Sequence, residues 1–128
     1  MPTPNPTEGE LAILRVLWQR KGAMTVREVH AELSKGKDTA YTTVLKMLTI
    51  MADKGLVRRD DSERSHTYLA VDAEPVVQRS LVKDLVRRAF AGSAMTLVQR
   101  ALDDDTASIE ELDQISKLIA QAKAKRKR

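Results

Sequence analysis

The side chains in this sequence that could do chemistry are few. Cysteine is absent, which removes thiol nucleophiles, disulfides and cysteine metal ligands. The two histidines, His30 and His66, have no His or Glu partner one helical turn away, as a zinc peptidase helix would require. Asp103-Asp104-Asp105 offers hard oxygen ligands, but three consecutive acids before a capped helix are the ordinary complement to a helix dipole. No glycine-rich phosphate loop and no nucleophile elbow occurs. The expectation is therefore no enzyme, no metal and no cofactor. A different chemistry is offered by Tyr41, Thr42, Thr43, Lys46 and Thr49. Short hydroxyls bond phosphates or base edges, a threonine methyl meets a thymine methyl, and lysine meets phosphate or guanine. These are groups that suit the major groove of duplex DNA. They equally make an ordinary solvated helix face, so their setting has to decide.

Composition limits that setting. At 128 residues the chain fits one domain, or a small domain with an oligomerisation appendage. Apolar residues at 42% mark a globular chain, and aromatics at only 3% require an aliphatic core. The net charge of +4 and pI near 9.5 permit an anionic partner without demanding one. Residues 1–72 carry 11 Lys/Arg against 10 Asp/Glu, and residues 73–128 carry 11 against 8. Lys123 to Arg128 alone supply +5, so the basicity lies largely in the tail. That tail either attracts phosphate without sequence preference or simply keeps the end soluble. No apolar run nears the ~20 residues that span a bilayer, and Met1 to Pro6 lack signal-peptide features. The expected location is cytoplasmic.

Helix starts are legible as three Ser/Thr-x-x-Glu capping boxes: Thr7 with Glu10, Thr25 with Glu28, and Ser108 with Glu111. The spacing predicts a first helix over 8–20, with Leu11, Leu14, Leu17 and Trp18 inward and Gly22 as C-cap. Ala23-Met24 is an extended link. A second helix over 26–33 buries Val26, Val29 and Leu33. A third over 40–54 buries Val44, Met47, Leu48 and Met51, leaving Thr42, Thr43, Lys46, Thr49 and Asp53 outside with Tyr41 at its start. After Gly55 the period changes to two, and 56–59 and 65–69 read as strands around a turn at 60–64. Three helices and a two-stranded wing give a mainly α, winged helix-turn-helix fold over 7–71. On the wing, Arg64 is the donor best placed for a DNA backbone, while Asp60, Asp61 and Glu63 oppose Arg58 and Arg59 in local pairs.

Asp72 caps a long helix to about Ala91, whose seam includes Leu81, Val82, Leu85 and Val86. A helix over 95–102 and another over 109–123 follow, the latter with Leu112, Ile115 and Ile119 on one side. Such seams must be covered. They either fold back on the winged helix or meet a second copy, and a helix of about 18 residues spans roughly 27 Å, long enough to project beyond a small domain. Residues 72–123 therefore read as a helical dimerisation segment, with 124–128 as the basic tail.

The segments Ala40-Tyr-Thr-Thr-Val-Leu-Lys-Met-Leu48, Asp53-Lys-Gly-Leu-Val57 and Arg64 to Tyr68 resemble the penicillinase-repressor (BlaI/MecI) family of winged-helix repressors. The likeness extends to Phe90-Ala-Gly-Ser93, to Leu97-Val98 and to the capped final helix, over roughly residues 7–120. It implies a homodimer on an inverted-repeat operator, with Thr42, Thr43 and Lys46 facing the groove and the C-terminal helices in the dimer interface; Tyr41 at the start of the third helix and Arg64 on the wing join the expected DNA contacts by their placement alone. It also implies release through a membrane sensor carrying a metalloprotease, by cleavage in the C-terminal segment. Here the chain departs from the pattern: Arg100-Ala101 stands near the position where the best-known relatives have Asn-Phe. Glu63 stands where relatives often have a turn glycine, and the cysteines of a copper-responsive branch are missing. The competing reading is a winged-helix adaptor for proteins, which would show an exposed apolar anchor on the third helix.

Overall fold

The computed structural model describes residues 4–127. In chain order it has α1 (Glu8–Gln19), β1 (Met24–Thr25), α2 (Val26–Ser34), α3 (Tyr41–Lys54), β2 (Val57–Asp60), β3 (Thr67–Ala70), α4 (Glu74–Ala89), α5 (Ala94–Asp103) and α6 (Ile109–Arg126). The capping boxes of α1 and α2 close in both directions. The Thr7 hydroxyl accepts from Glu10 N–H at 3.3 Å while Thr7 N–H donates to Glu10 Oε1 at 2.9 Å, and Thr25 with Glu28 repeats this at 3.2 and 3.0 Å. At α6 only the hydroxyl half forms, Ser108 Oγ accepting from Glu111 N–H at 3.1 Å.

The core lies where α1, α2 and α3 meet the sheet. It joins Ile13, Leu14 and Leu17 of α1, Val26 and Val29 of α2, and Val44, Leu48 and Met51 of α3. Met24, Leu56, Val57 and Tyr68 complete it. The stripe on α1 is turned from the expected one: Glu10 and Ile13 are buried, while Leu11 and Trp18 are half-buried. Its C-cap is the extended Arg20, two residues before Gly22. Glycine does end α3, where Gly55 takes φ 84° and its N–H returns to Ala52 and Met51 carbonyls.

The sheet has three antiparallel strands in the order β1-β3-β2. The wing pairs Val57 with Ala70 through Asp60 with Thr67, and the link expected at Ala23-Met24 adds a short strand, Met24 opposite Tyr68. This third strand brings the start of α2 against the wing. The six residues between β2 and β3 turn without a glycine or any left-handed residue, helped by Asp60 Oδ1 accepting from Ser62 N–H at 2.9 Å. Glu63 is accommodated because a six-residue loop has no position that demands positive φ.

α4 begins at Glu74 rather than beside Asp72, whose carbonyl instead accepts from Trp18 Nε1–H at 3.0 Å. Contacts divide the chain into two units at Val82/Lys83, inside α4. In the second unit, no residue from Lys83 to Lys127 is fully buried. α6 continues past Lys123 to Arg126, because alanine, lysine and arginine are strong helix formers and cations suit a helix C-terminus. Arg128 of the basic tail lies outside the described residues.

Candidate nucleic-acid interface

α3 is fixed at both ends. Near its start, His30 of α2 donates from Nε2 to the Thr39 carbonyl at 2.6 Å; a carbonyl can only accept, so Nε2 carries the proton. The same ring meets Tyr41 edge-on, with centroids 5.8 Å apart and planes at 75°. At the far end, the Lys54 ammonium donates to both oxygens of the buried Glu10 carboxylate, at 3.1 and 2.9 Å. Burial alone would raise the Glu10 pKa. The Thr7 N–H and the Lys54 charge outweigh it and hold the group below its ordinary 4.5.

Between these anchors, Val44, Leu48 and Met51 face the core and Tyr41, Thr42, Thr43, Leu45, Lys46 and Thr49 are exposed. Thr42 and Lys46, one turn apart, share the outermost face. Thr43 lies to one side, lining a groove with Gly9 of α1, Leu33 and Met47. Tyr41 and Leu45 lie to the other, toward the wing. The Thr49 hydroxyl donates to the Leu45 carbonyl at 2.9 Å and so presents only lone pairs outward. Among the described residues, Lys46 has no carboxylate within ion-pair distance.

On the wing, Arg59 is paired with Asp61 at 2.8 Å, and His66 Nδ1 stands 3.6 Å from the same carboxylate. Asp60 is held below its ordinary value by the Ser62 N–H. Arg64, by contrast, has no acidic partner among the described residues and lines a groove with Arg27, Tyr41, Leu45 and His66. Sequence reading did not place Arg27 at this groove, and it weighed His66 only as a metal ligand. No motif marks Arg27, which reaches this groove only because β1 sets the start of α2 beside the wing.

The other predicted residues sit elsewhere. Leu81 and Ile115 are half-buried, whereas Leu85 (48%), Leu112 (41%) and Ile119 (49%) are exposed. Arg100 and Ala101 are exposed within α5, Arg100 paired with Asp103. Among the described residues no group of three acidic or imidazole side chains is disposed to hold a metal, and no helix is long and apolar enough to cross a membrane.

Comparison with known proteins agrees with this architecture. The family described as penicillinase repressor matches residues 6–121. The transcriptional regulator BlaI of Mycobacterium tuberculosis is 31% identical over 116 residues, covering 90% of this chain and 83% of that protein. The penicillinase repressor of Bacillus licheniformis is 24% identical over 124 residues, covering 97% and 96%. Among solved structures, the DNA-binding domain of the repressor BlaI aligns with a TM-score of 0.51. The monomeric form of B. licheniformis BlaI in complex with the blaP half-operator gives 0.50. Each is 26% identical and covers 57% of this chain and 88% of its own. These relatives are transcriptional repressors and not enzymes, their DNA-binding domains are winged helices, and the present chain belongs to the penicillinase repressor family.

Proposed function

We propose that this protein is a cytoplasmic transcriptional repressor that binds an inverted-repeat operator as a homodimer, with α3 in the major groove and Arg64 of the wing on the backbone. The observation that carries the reading is the outward face of α3. Thr42 and Lys46 stand exposed, Lys46 is free of any described carboxylate partner, and the helix beneath is anchored at both ends. A protein that reads base edges needs such a rigid platform, because loose side chains lose entropy on docking. The solved B. licheniformis BlaI complex with a half-operator supports the same partner.

In this reading residues 7–71 bind DNA and 72–123 hold the dimer. Support for the second assignment comes from the absence of any fully buried residue over 83–127 together with the exposed Leu85, Leu112 and Ile119. A twofold pair would set two copies of α3 in successive major grooves, ~34–36 Å apart. The basic tail 124–128 adds attraction to phosphate. Release is assigned to cleavage within Met95–Leu102 by a membrane sensor metalloprotease; α5 would have to open first, since proteases act on unfolded chain. Only intact protein in induced cells, by mass spectrometry, would contradict that step.

The adaptor reading needs an apolar anchor on α3. Tyr41 and Leu45 are exposed one turn apart beside the wing groove, and Ile50 is separated from them by Thr42 and Lys46, so the apolar exposure on α3 is limited to that one pair at its edge. The experiment is selection of bound fragments from the host genome, followed by titration of the enriched fragment against scrambled DNA. The proposal expects an inverted repeat bound at least about 10³-fold more tightly than scrambled DNA. Equal affinity for both would overturn it.

A further inference from the structure

The groove between the start of α2, the start of α3 and the wing holds two arginines, Arg27 and Arg64, that pair with no carboxylate among the described residues. It encloses about 430 Å³ and is lined by Arg27, Tyr41, Arg64 and His66, with Thr25 and Ser65 among its other polar groups and no carboxylate. Elsewhere in this domain Arg20 pairs with Glu28 and Arg59 with Asp61, while Arg15 and Arg58 have no ion pair among the described residues and line no part of this groove. Arg27 and Arg64 have no such partner among the described residues, and neither donates a side-chain hydrogen bond to any described group. Two planar donor forks left open on one polar hollow match an oxyanion with several acceptor oxygens. The position is built rather than incidental. β1 pairing fixes the first turn of α2 beside β3, and the His30 ring steadies Tyr41 in the opposite wall.

We propose that this groove seats one backbone phosphate of the bound duplex, with Arg27 of α2 and Arg64 of the wing as its two cationic ligands. The inference rests on the DNA-binding reading and adds a second helix to it. Arg27 then fixes the register of α3 along the groove and reads no base, because a phosphate is the same at every step. His66 lines the same hollow as Arg27 and Arg64, with Asp61 beside it at 3.6 Å.

The test compares full-length wild type, Arg27→Gln and Arg27→Lys on a genome-selected operator fragment and on scrambled DNA across a salt series, with ethylation interference on the operator. Arg27→Gln is expected to weaken both DNAs equally, by about ten-fold. It should lower the salt slope by about 1 and abolish interference at one phosphate per half-site. Arg27→Lys is expected to restore the slope. An unchanged slope and unchanged ethylation pattern in Arg27→Gln would overturn the proposal, as would a loss confined to the operator. Failure of wild type to prefer the operator would instead sink the DNA-binding reading itself. Free inorganic phosphate is the other source of the same chemistry. Saturable shifts of the Arg27 and Arg64 Nε–H signals at sub-millimolar phosphate would assign the groove to a small anion and overturn the duplex assignment.

Discussion

Two residues show how side-chain chemistry divides between holding α3 and using it. Lys46 projects from the outer face with no described partner, so its charge is available to an anion. Lys46→Ala should weaken operator binding and reduce the salt slope by about 1 without unfolding the protein, measured by anisotropy titration over a salt series. Glu10 does the holding. Its folded pKa lies below the ordinary 4.5, so the carboxylate favours the folded state above that value, and the benefit is lost as pH falls through the folded value. Glu10→Gln should therefore be less stable than wild type near neutrality, and the gap should close below about pH 4.5 in urea unfolding curves. Glu10 and Lys54 are 44 positions apart, and nothing in their local sequence announces the pair. The carboxylate was legible only as the third residue of a capping box.

At the scale of elements, the caps carry the argument. Thr25 ends β1, caps α2 and lies beside the groove that Arg27 shares with the wing. Thr25→Ala should cost about 1 kcal/mol of stability by chemical denaturation, the ordinary cost of losing a helix N-cap. Because α2 starts there, local order at Arg27 should fall with it. Helix existence was readable from caps and apolar spacing, since both are local rules: α1, α2 and α3 begin within a residue of expectation. Strand β1 was not. Two residues show no period, and Met24-Thr25 becomes a strand only because β3 lies alongside. The rotation of the α1 stripe has the same origin. Glu10 is buried because Lys54 meets it, a tertiary fact that hydrophobic spacing cannot carry. On the candidate site, the outer face of α3 and Arg64 followed from the pattern of the chain, while Arg27, His66 and the anchoring role of His30 required the fold.

The whole molecule raises the question of what covers its C-terminal helices. No side chain from Lys83 to Lys127 is fully buried, and Leu112 and Ile119 of α6 are nearly half exposed. Exposed aliphatic seams of this kind favour association by the area they remove from water. Leu112→Asp or Ile119→Asp should yield monomers in sedimentation velocity and lower operator affinity, because each half-site is then bound alone. Dimers that persist in both variants would place the interface elsewhere. The claim beneath the whole account is that α3 presents Tyr41 to Thr49 to a duplex. Its most direct measurement is titration of a genome-selected operator fragment into isotope-labelled protein, followed by backbone amide shifts in NMR. The account predicts the largest changes over residues 41–49 and at Arg64. Changes confined to the basic end after Lys123, with the α3 amides unmoved, would contradict it.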